Sequence, residues 1–206
     1  MIFFVVMFAS SEISKDKLLS ISESLRRALT RESVQASSVG VAILADPSRS
    51  TVTSASEAVR EAAKAFGIDK SVSFSTDERG TIISIVDSVF FDPGNTAIKP
   101  SVEVLLREVA QFCKDTDSQV VIEGHTDDRK ISTPAMPSNW ELSALRAAGV
   151  TRVMIGEGIA KERMQMSAFA EIKPKVSNVD AQGYAIKENQ ALNRRIVIHV
   201  MRAESE

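Results

Sequence analysis

Residues 119–148, QVVIEGHTDDRKISTPAMPSNWELSALRAA, decide how the whole chain is read. Gln119 to Gly124 holds Val120, Val121 and Ile122 in succession, the β-branched content of a strand. The chain then turns polar through His125, Thr126, Asp127, Asp128, Arg129 and Lys130, and a loop with Pro134 and Pro137 follows. Ser138 and Glu141 have the spacing of a capping box, so a helix begins at Asn139. Leu142, Leu145, Gly149 and Val153 form its apolar stripe. At about 100° per residue, Arg146 lies roughly 40° round from Leu142 and Asn139 roughly 60°, on the same flank. Arg146 therefore belongs at the edge of the stripe. A helix packed back on the strand brings Asp127 beside it. Two readings stay open at this point. The two charges border one groove that suits a zwitterion, Asp127 taking an ammonium and Arg146 a carboxylate in fork geometry. Alternatively they pair with each other or with backbone.

Working outward, Ser71–Ser75 and Thr81–Val86 read as strands joined by the turn Asp77-Glu78-Arg79-Gly80, so they form a hairpin. Phe90-Phe91-Asp92-Pro93-Gly94 is an aromatic loop that plugs a core. Pro100 suits a first helical turn, and Val102, Leu105, Leu106, Val109, Phe112 and Cys113 give that helix its stripe. Met164–Phe169 reads as a strand, Glu171–Gln190 as a loop, Arg195–Met201 as the last strand and Arg202–Glu206 as a tail. The order β, β, α, β, α, β, loop, β requires some parallel pairing with helices on one face. The fold class this predicts is α/β, a two-layer sandwich with a mixed sheet.

The N-terminal third differs in character. Ile2–Ala9, IFFVVMFA, is the most hydrophobic run, yet a membrane span takes about 20 apolar residues. Three readings compete: the end of a membrane helix, a buried element, or a weak secretion segment. Ser14–Leu29 places Leu18, Ile21, Leu25 and Leu29 at helical spacing and is an amphipathic helix. It packs on its own domain, or lies at a membrane surface or on a partner. Thr30–Ser50, broken by Gly40 and Asp46-Pro47, reads as a linker. Thr51–Phe66 is helical again, with Val52, Ala55, Val59, Ala62, Ala63 and Phe66 on one face and Gly67 as its stop.

Composition narrows the function. A net charge of −2 gives no electrostatic footprint for nucleic acid. The single cysteine, Cys113, excludes an internal disulfide and fits an apolar stripe. Glu123, His125, Asp127 and Asp128 are metal-ligand types, but no second histidine lies at ligand spacing, so no metal site is read and His125 is taken as structural. Nucleophile-elbow, zincin and phosphate-loop motifs are absent, so the chain is not read as an enzyme and no cofactor is expected.

Taken together, Gly124-His125-Thr126-Asp127, Asn139, Leu142-Ser143, Arg146-Ala147 and Asn193-Arg194-Arg195 resemble the signature of the OmpA-like peptidoglycan-binding domain. Ile131-Ser132-Thr133 and Pro137-Ser138-Asn139-Trp140-Glu141-Leu142-Ser143 are similar, more specifically, to the MotB family of flagellar motor stator subunits. The resemblance runs from about Val72 to Val200. It implies an OmpA-like fold whose site residues are Thr126, Asp127, Asn139, Arg146, Asn193 and Arg194. Asp127 and Arg146 take the ammonium and carboxylate of the diamino acid in the peptidoglycan stem peptide. It further implies that residues 1–9 are the remnant of a transmembrane helix, 10–30 a plug-like helix regulating ion flow, 31–70 linker and helix, 71–202 the peptidoglycan-binding domain and 203–206 a tail. The expected partners are peptidoglycan, a MotA-type membrane protein and a second copy of the chain. The expected location is the inner membrane, single-pass in the full-length protein, with the C-terminal domain in the periplasm. Another OmpA-like tether of peptidoglycan is the alternative. Where many relatives carry a Gly-aromatic-Gly or Gly-aromatic-Ala turn, this chain has Ala168-Phe169-Ala170. Finally, an Arg146 at the stripe's edge leads to the expectation that Arg146→Ala abolishes wall binding with melting nearly unchanged.

Overall fold

A hairpin opens the sheet: Val72–Thr76 (β1) pairs antiparallel with Gly80–Val86 (β2). The expected turn closes it. The Asp77 N–H donates to the Gly80 carbonyl at 3.0 Å, and the Asp77 carboxylate accepts from the Arg79 and Gly80 N–H groups at 2.9 and 3.0 Å. The computed structural model describes residue 57 and residues 59–201. The apolar run 2–9, the amphipathic helix 14–29, the linker 30–50 and the tail 202–206 lie outside the described residues.

Helix 59–65 (α1) precedes the hairpin and buries Val59, Ala62 and Ala63. Gly67, at φ +67°, ends it as expected: its N–H donates to Lys64 O and the Ile68 N–H to Ala63 O, both at 2.9 Å. After β2 come Asp87–Phe90 (α2), Pro100–Asp115 (α3), Gln119–His125 (β3), Asn139–Gly156 (α4), Met164–Ala168 (β4), Lys187–Asn193 (α5) and Arg195–Met201 (β5). The stripe expected for α3 is buried throughout, from Val102 to Cys113. The capping box of α4 forms, with the Ser138 N–H donating to Glu141 Oε2 at 2.8 Å and Ser138 Oγ accepting from the Trp140 N–H at 3.2 Å.

The five strands lie in the order β1-β2-β5-β3-β4. Only β3 and β4 run parallel, joined by the α4 crossover; the other pairs are antiparallel. Ile83, Ile198 and Ile122 sit abreast on three adjacent strands, all at 0% exposure. Leu105, Leu106 and Val109 of α3 and Val150 and Met154 of α4 cover that row. Each such aliphatic side chain contributes about 1.5–3 kcal/mol by leaving water. This is the α/β two-layer architecture with a mixed sheet. Phe90 and Phe91 plug the core at 0% and 2% exposure.

Two readings need correction. The buried face of α4 is Leu142, Ser143, Arg146, Ala147, Gly149, Val150 and Met154, whereas Leu145 is 40% exposed. The cause is a backbone contact. A Cβ on Gly124 would come within 2.1 Å of the Ser143 carbonyl oxygen, so strand and helix touch there and the helix is turned to present Ser143 to the sheet. Residues one and two turns on from Ser143 then line the core. The second correction concerns the segment read as a loop, 171–190, which ends inside α5.

Candidate functional site

The close approach of Gly124 and Ser143 brings the end of β3 against the first turns of α4. Asp127 and Arg146 thereby enter the wall of one cavity of about 540 Å³. Arg194, just after α5, and Asp87, just after β2, enter the same wall. The lining carries four cations, Arg129, Lys130, Arg146 and Arg194, against three anions, Asp87, Asp92 and Asp127. That balance suits a ligand with a carboxylate as well as an ammonium.

Asp127 and Arg146 do not pair with each other. Arg146 Nη1 donates to Asp87 Oδ2 at 2.8 Å, its Nε donates to the Asn95 carbonyl at 3.3 Å, and its guanidinium lies 5.0 Å from the Phe91 ring centre. Arg194 bridges the two acids, donating from Nη1 to Asp127 Oδ2 at 2.6 Å with its Nε 3.4 Å from Asp87 Oδ1. Arg129 Nε donates to the same Asp127 oxygen at 2.7 Å. The result is a chain of alternating charge, Arg146, Asp87, Arg194, Asp127, Arg129, each link fixing the next. Burial pushes the Asp87 carboxyl up, against the opposing pull of Arg146 and Arg194. Burial likewise pulls the Arg146 guanidinium down, against the pull of Asp87.

Arg146 is not at the edge of its helix's buried face but within it, at 4% exposure. The expectation that Arg146→Ala spares stability is therefore corrected: the substitution leaves Asp87 buried without its nearest partner.

Thr126 and Asn139 also line the cavity and shape the Asp127 loop from within. The Thr126 N–H donates to the Ala170 carbonyl at 2.8 Å, and its Oγ1 donates to Asp127 O at 2.9 Å. Asn139 Nδ2 donates to Arg129 O at 3.0 Å and Asp127 O at 3.4 Å. Asn193 is a correction, because it does not line the cavity. It is 0% exposed, and its amide is saturated: Oδ1 accepts from the Lys175 and Val176 N–H groups, and Nδ2 donates to Val176 O and Asn178 Oδ1. Its work is to hold the 175–178 segment.

Sequence reasoning missed Asp87. Its signal was an acid inside the apolar run Ile85-Val86-Asp87-Ser88-Val89-Phe90-Phe91, where an ionised group needs a cationic partner. The Ala168-Phe169-Ala170 departure keeps the turn: Ala170 adopts φ +46°, and its N–H donates to Ser143 Oγ at 3.2 Å. Behind the loop, His125 Nε2 lies 3.2 Å from Glu123 Oε2, and Phe169 stacks on the ring at 5.2 Å between centres, the structural role expected of it. Fold topology also brings His199 Nε2 within 3.3 Å of Glu123 Oε1. Burial lowers the His125 pKa, against the opposing pull of Glu123. Burial alone pushes Glu123 up, but the hydrogen bond from His125 and the adjacent His199 outweigh it and hold its carboxyl well below the usual range.

The five-stranded mixed sheet, with an acid and a guanidinium lining one cavity, is that of an OmpA-like α/β fold. Residues 90–188 match the OmpA family. Among its relatives, the uncharacterized protein YtxE of Bacillus subtilis is 34% identical over 130 residues, 63% of this chain and 51% of the relative. Motility protein B of Bacillus subtilis is 29% identical over 124 residues, 59% of this chain and 45% of the relative. The solved cell wall anchor of the T6SS from Pseudomonas aeruginosa superimposes with a TM-score of 0.60 at 25% identity, covering 70% of this chain and 97% of that one. The chain spans about half the length of the curated relatives it matches.

Proposed function

We propose that the chain is the periplasmic part of a MotB-type stator subunit, and that its OmpA-like domain anchors the stator by gripping peptidoglycan non-covalently in this cavity. The observation that supports the reading is that Asp127 and Arg146 line one cavity without pairing with each other, each held by a different partner. The diamino acid of the stem peptide brings an ammonium to Asp127 and a carboxylate to the Arg146 side. Arg194 supports both acids, while Thr126 and Asn139 hold the loop. Such contacts position and bind; they activate no nucleophile, so the domain acts as an anchor rather than an enzyme.

The rest of the proposal concerns the residues before the domain. Residues 1–9 continue a single membrane span of the inner membrane, residues 10–30 act as a plug on ion flow, and residues 31–70 set how far domain 71–202 reaches into the periplasm. The stator pairs two copies of this chain with a MotA-type partner. Two domains per dimer, facing a polymer of repeating ligands, raise effective affinity through local concentration. The likeness to a cell wall anchor of another system supports a second reading, a peptidoglycan tether with a different N-terminal role.

Co-sedimentation with insoluble peptidoglycan tests the proposal. Asp127→Asn keeps the shape of the side chain and removes its charge. Wild-type chain is expected in the pellet and Asp127→Asn in the supernatant. Equal sedimentation of the two, or none of the wild type, overturns the reading.

A further inference from the structure

The acidic wall of the cavity already has an occupant. Asp127 Oδ2 accepts from Arg129 Nε at 2.7 Å and from Arg194 Nη1 at 2.6 Å, while Oδ1 accepts from the Arg129 N–H at 3.2 Å. An incoming ammonium therefore meets a carboxylate whose oxygens are both engaged.

The two guanidiniums are held differently. The Arg194 side chain is 24% exposed and lies between two buried acids, Asp127 and Asp87. The Arg129 side chain is 62% exposed, and Asp127 is its one ion-pair partner among the described residues. Its backbone, in contrast, is pinned, because the Arg129 carbonyl accepts from Asn139 Nδ2 at 3.0 Å. The Arg129 side chain is thus free to swing into solvent while the loop beneath it stays in place. Water screens this pair at its exposed Arg129 end and Arg194 stays on Asp127 when Arg129 leaves, so the Arg129 contact yields to a ligand that makes better contacts.

We propose that Arg129 is a latch on the site: a built-in cation that occupies the ammonium seat at Asp127 and is displaced by the ligand's own ammonium. The inference rests on the anchoring function proposed above and adds a means of selection to it. A carboxylate alone docks against Arg146 but leaves the latch shut. A ligand that carries both charges opens it and takes the seat. When the competent state is only partly populated, apparent affinity falls by the populated fraction. A seat open about one-fifth of the time weakens binding about fivefold.

The test is calorimetric titration of the full 206-residue chain with meso-diaminopimelate and with its N,N′-diacetylated form, which has no ammonium. Arg129→Ala removes the latch from an exposed position, and circular dichroism checks that the fold is kept. Arg129→Ala is expected to bind meso-diaminopimelate about fivefold more tightly than wild type and to gain nothing with the acetylated form. Equal or weaker binding of meso-diaminopimelate by Arg129→Ala, with wild type binding normally, overturns the latch and leaves the anchoring function standing. An equal gain with both compounds also overturns it. If neither protein binds meso-diaminopimelate, the anchoring function fails and the latch with it.

Discussion

Replacing Arg146 with alanine tests the charge chain and the fold at once. Arg146 is 4% exposed and its partner Asp87 6%, with 2.8 Å between Nη1 and Oδ2. Removing one member of a buried pair costs about 3–5 kcal/mol, because the other is left buried and uncompensated. Arg194 Nε remains 3.4 Å from Asp87 Oδ1, so Asp87 is not wholly abandoned. The low end, about 3 kcal/mol, is therefore expected. For a domain of this size, about 2–4 °C per kcal/mol puts the fall in melting midpoint near 6–12 °C. Thermal unfolding followed by circular dichroism and by the fluorescence of Trp140, the single tryptophan, measures it, and urea unfolding gives the free energies. Asp87→Asn is expected to cost a similar amount, and the double variant clearly less than the sum, with about 2 kcal/mol of coupling. A midpoint for Arg146→Ala within about 2 °C of wild type, or strict additivity of the two substitutions, refutes the reasoning.

Three further outcomes follow from the same structure. Gly124→Ala drives a methyl into the Ser143 carbonyl, where backbone has to move, so it is expected to cost about 1–3 kcal/mol in urea unfolding and to weaken wall binding as α4 shifts from β3. Asp117 follows α3 at φ +47° with its side chain 85% exposed, so Asp117→Gly is expected to raise stability by about 0.5 kcal/mol, the relief of left-handed strain less the added freedom of the unfolded glycine and the loss of the 3.0 Å ion pair with Arg163. Because burial lowers the His125 pKa, the unfolded chain takes up a proton below about pH 6.5 that the folded ring refuses, so stability falls as pH drops from there toward the folded pKa. Unfolding at pH 7.5, 6 and 5 checks this, and His125→Gln is expected to flatten the slope between those values.

The sheet was legible because its signals are local. Val120, Val121 and Ile122, the Asp77–Gly80 turn and the alternation in Arg195–Met201 each point to a strand without knowledge of the rest. The start of α4 was legible for the same reason, since Ser138 and Glu141 are three residues apart. The rotation of α4 was not, because it is set by a contact between backbones far apart in sequence, Gly124 against Ser143. Leu145 therefore read as core and Arg146 as an edge residue. The site showed the same division. Asp127 and Arg146 were found as a pair of charges near one groove. Asp87 lies 59 residues from Arg146 in sequence, and only the β2 to α2 turn delivers it to the guanidinium. Asn193 was misread because an asparagine beside Arg194 in a signature motif gives no sign of which way it faces. The fold turns it inward, where four hydrogen bonds consume it.

The central claim is that two opposite charges lining one cavity hold the two ends of a zwitterion. Titration of the chain with a diaminopimelate-containing stem peptide, and with the same peptide either amidated at the diaminopimelate carboxylate or acetylated at its amine, tests it most directly. A charge-assisted hydrogen bond is worth about 1.5–3 kcal/mol, so each modification is expected to weaken binding about 10- to 100-fold. Equal affinity for the free and modified peptides contradicts the account.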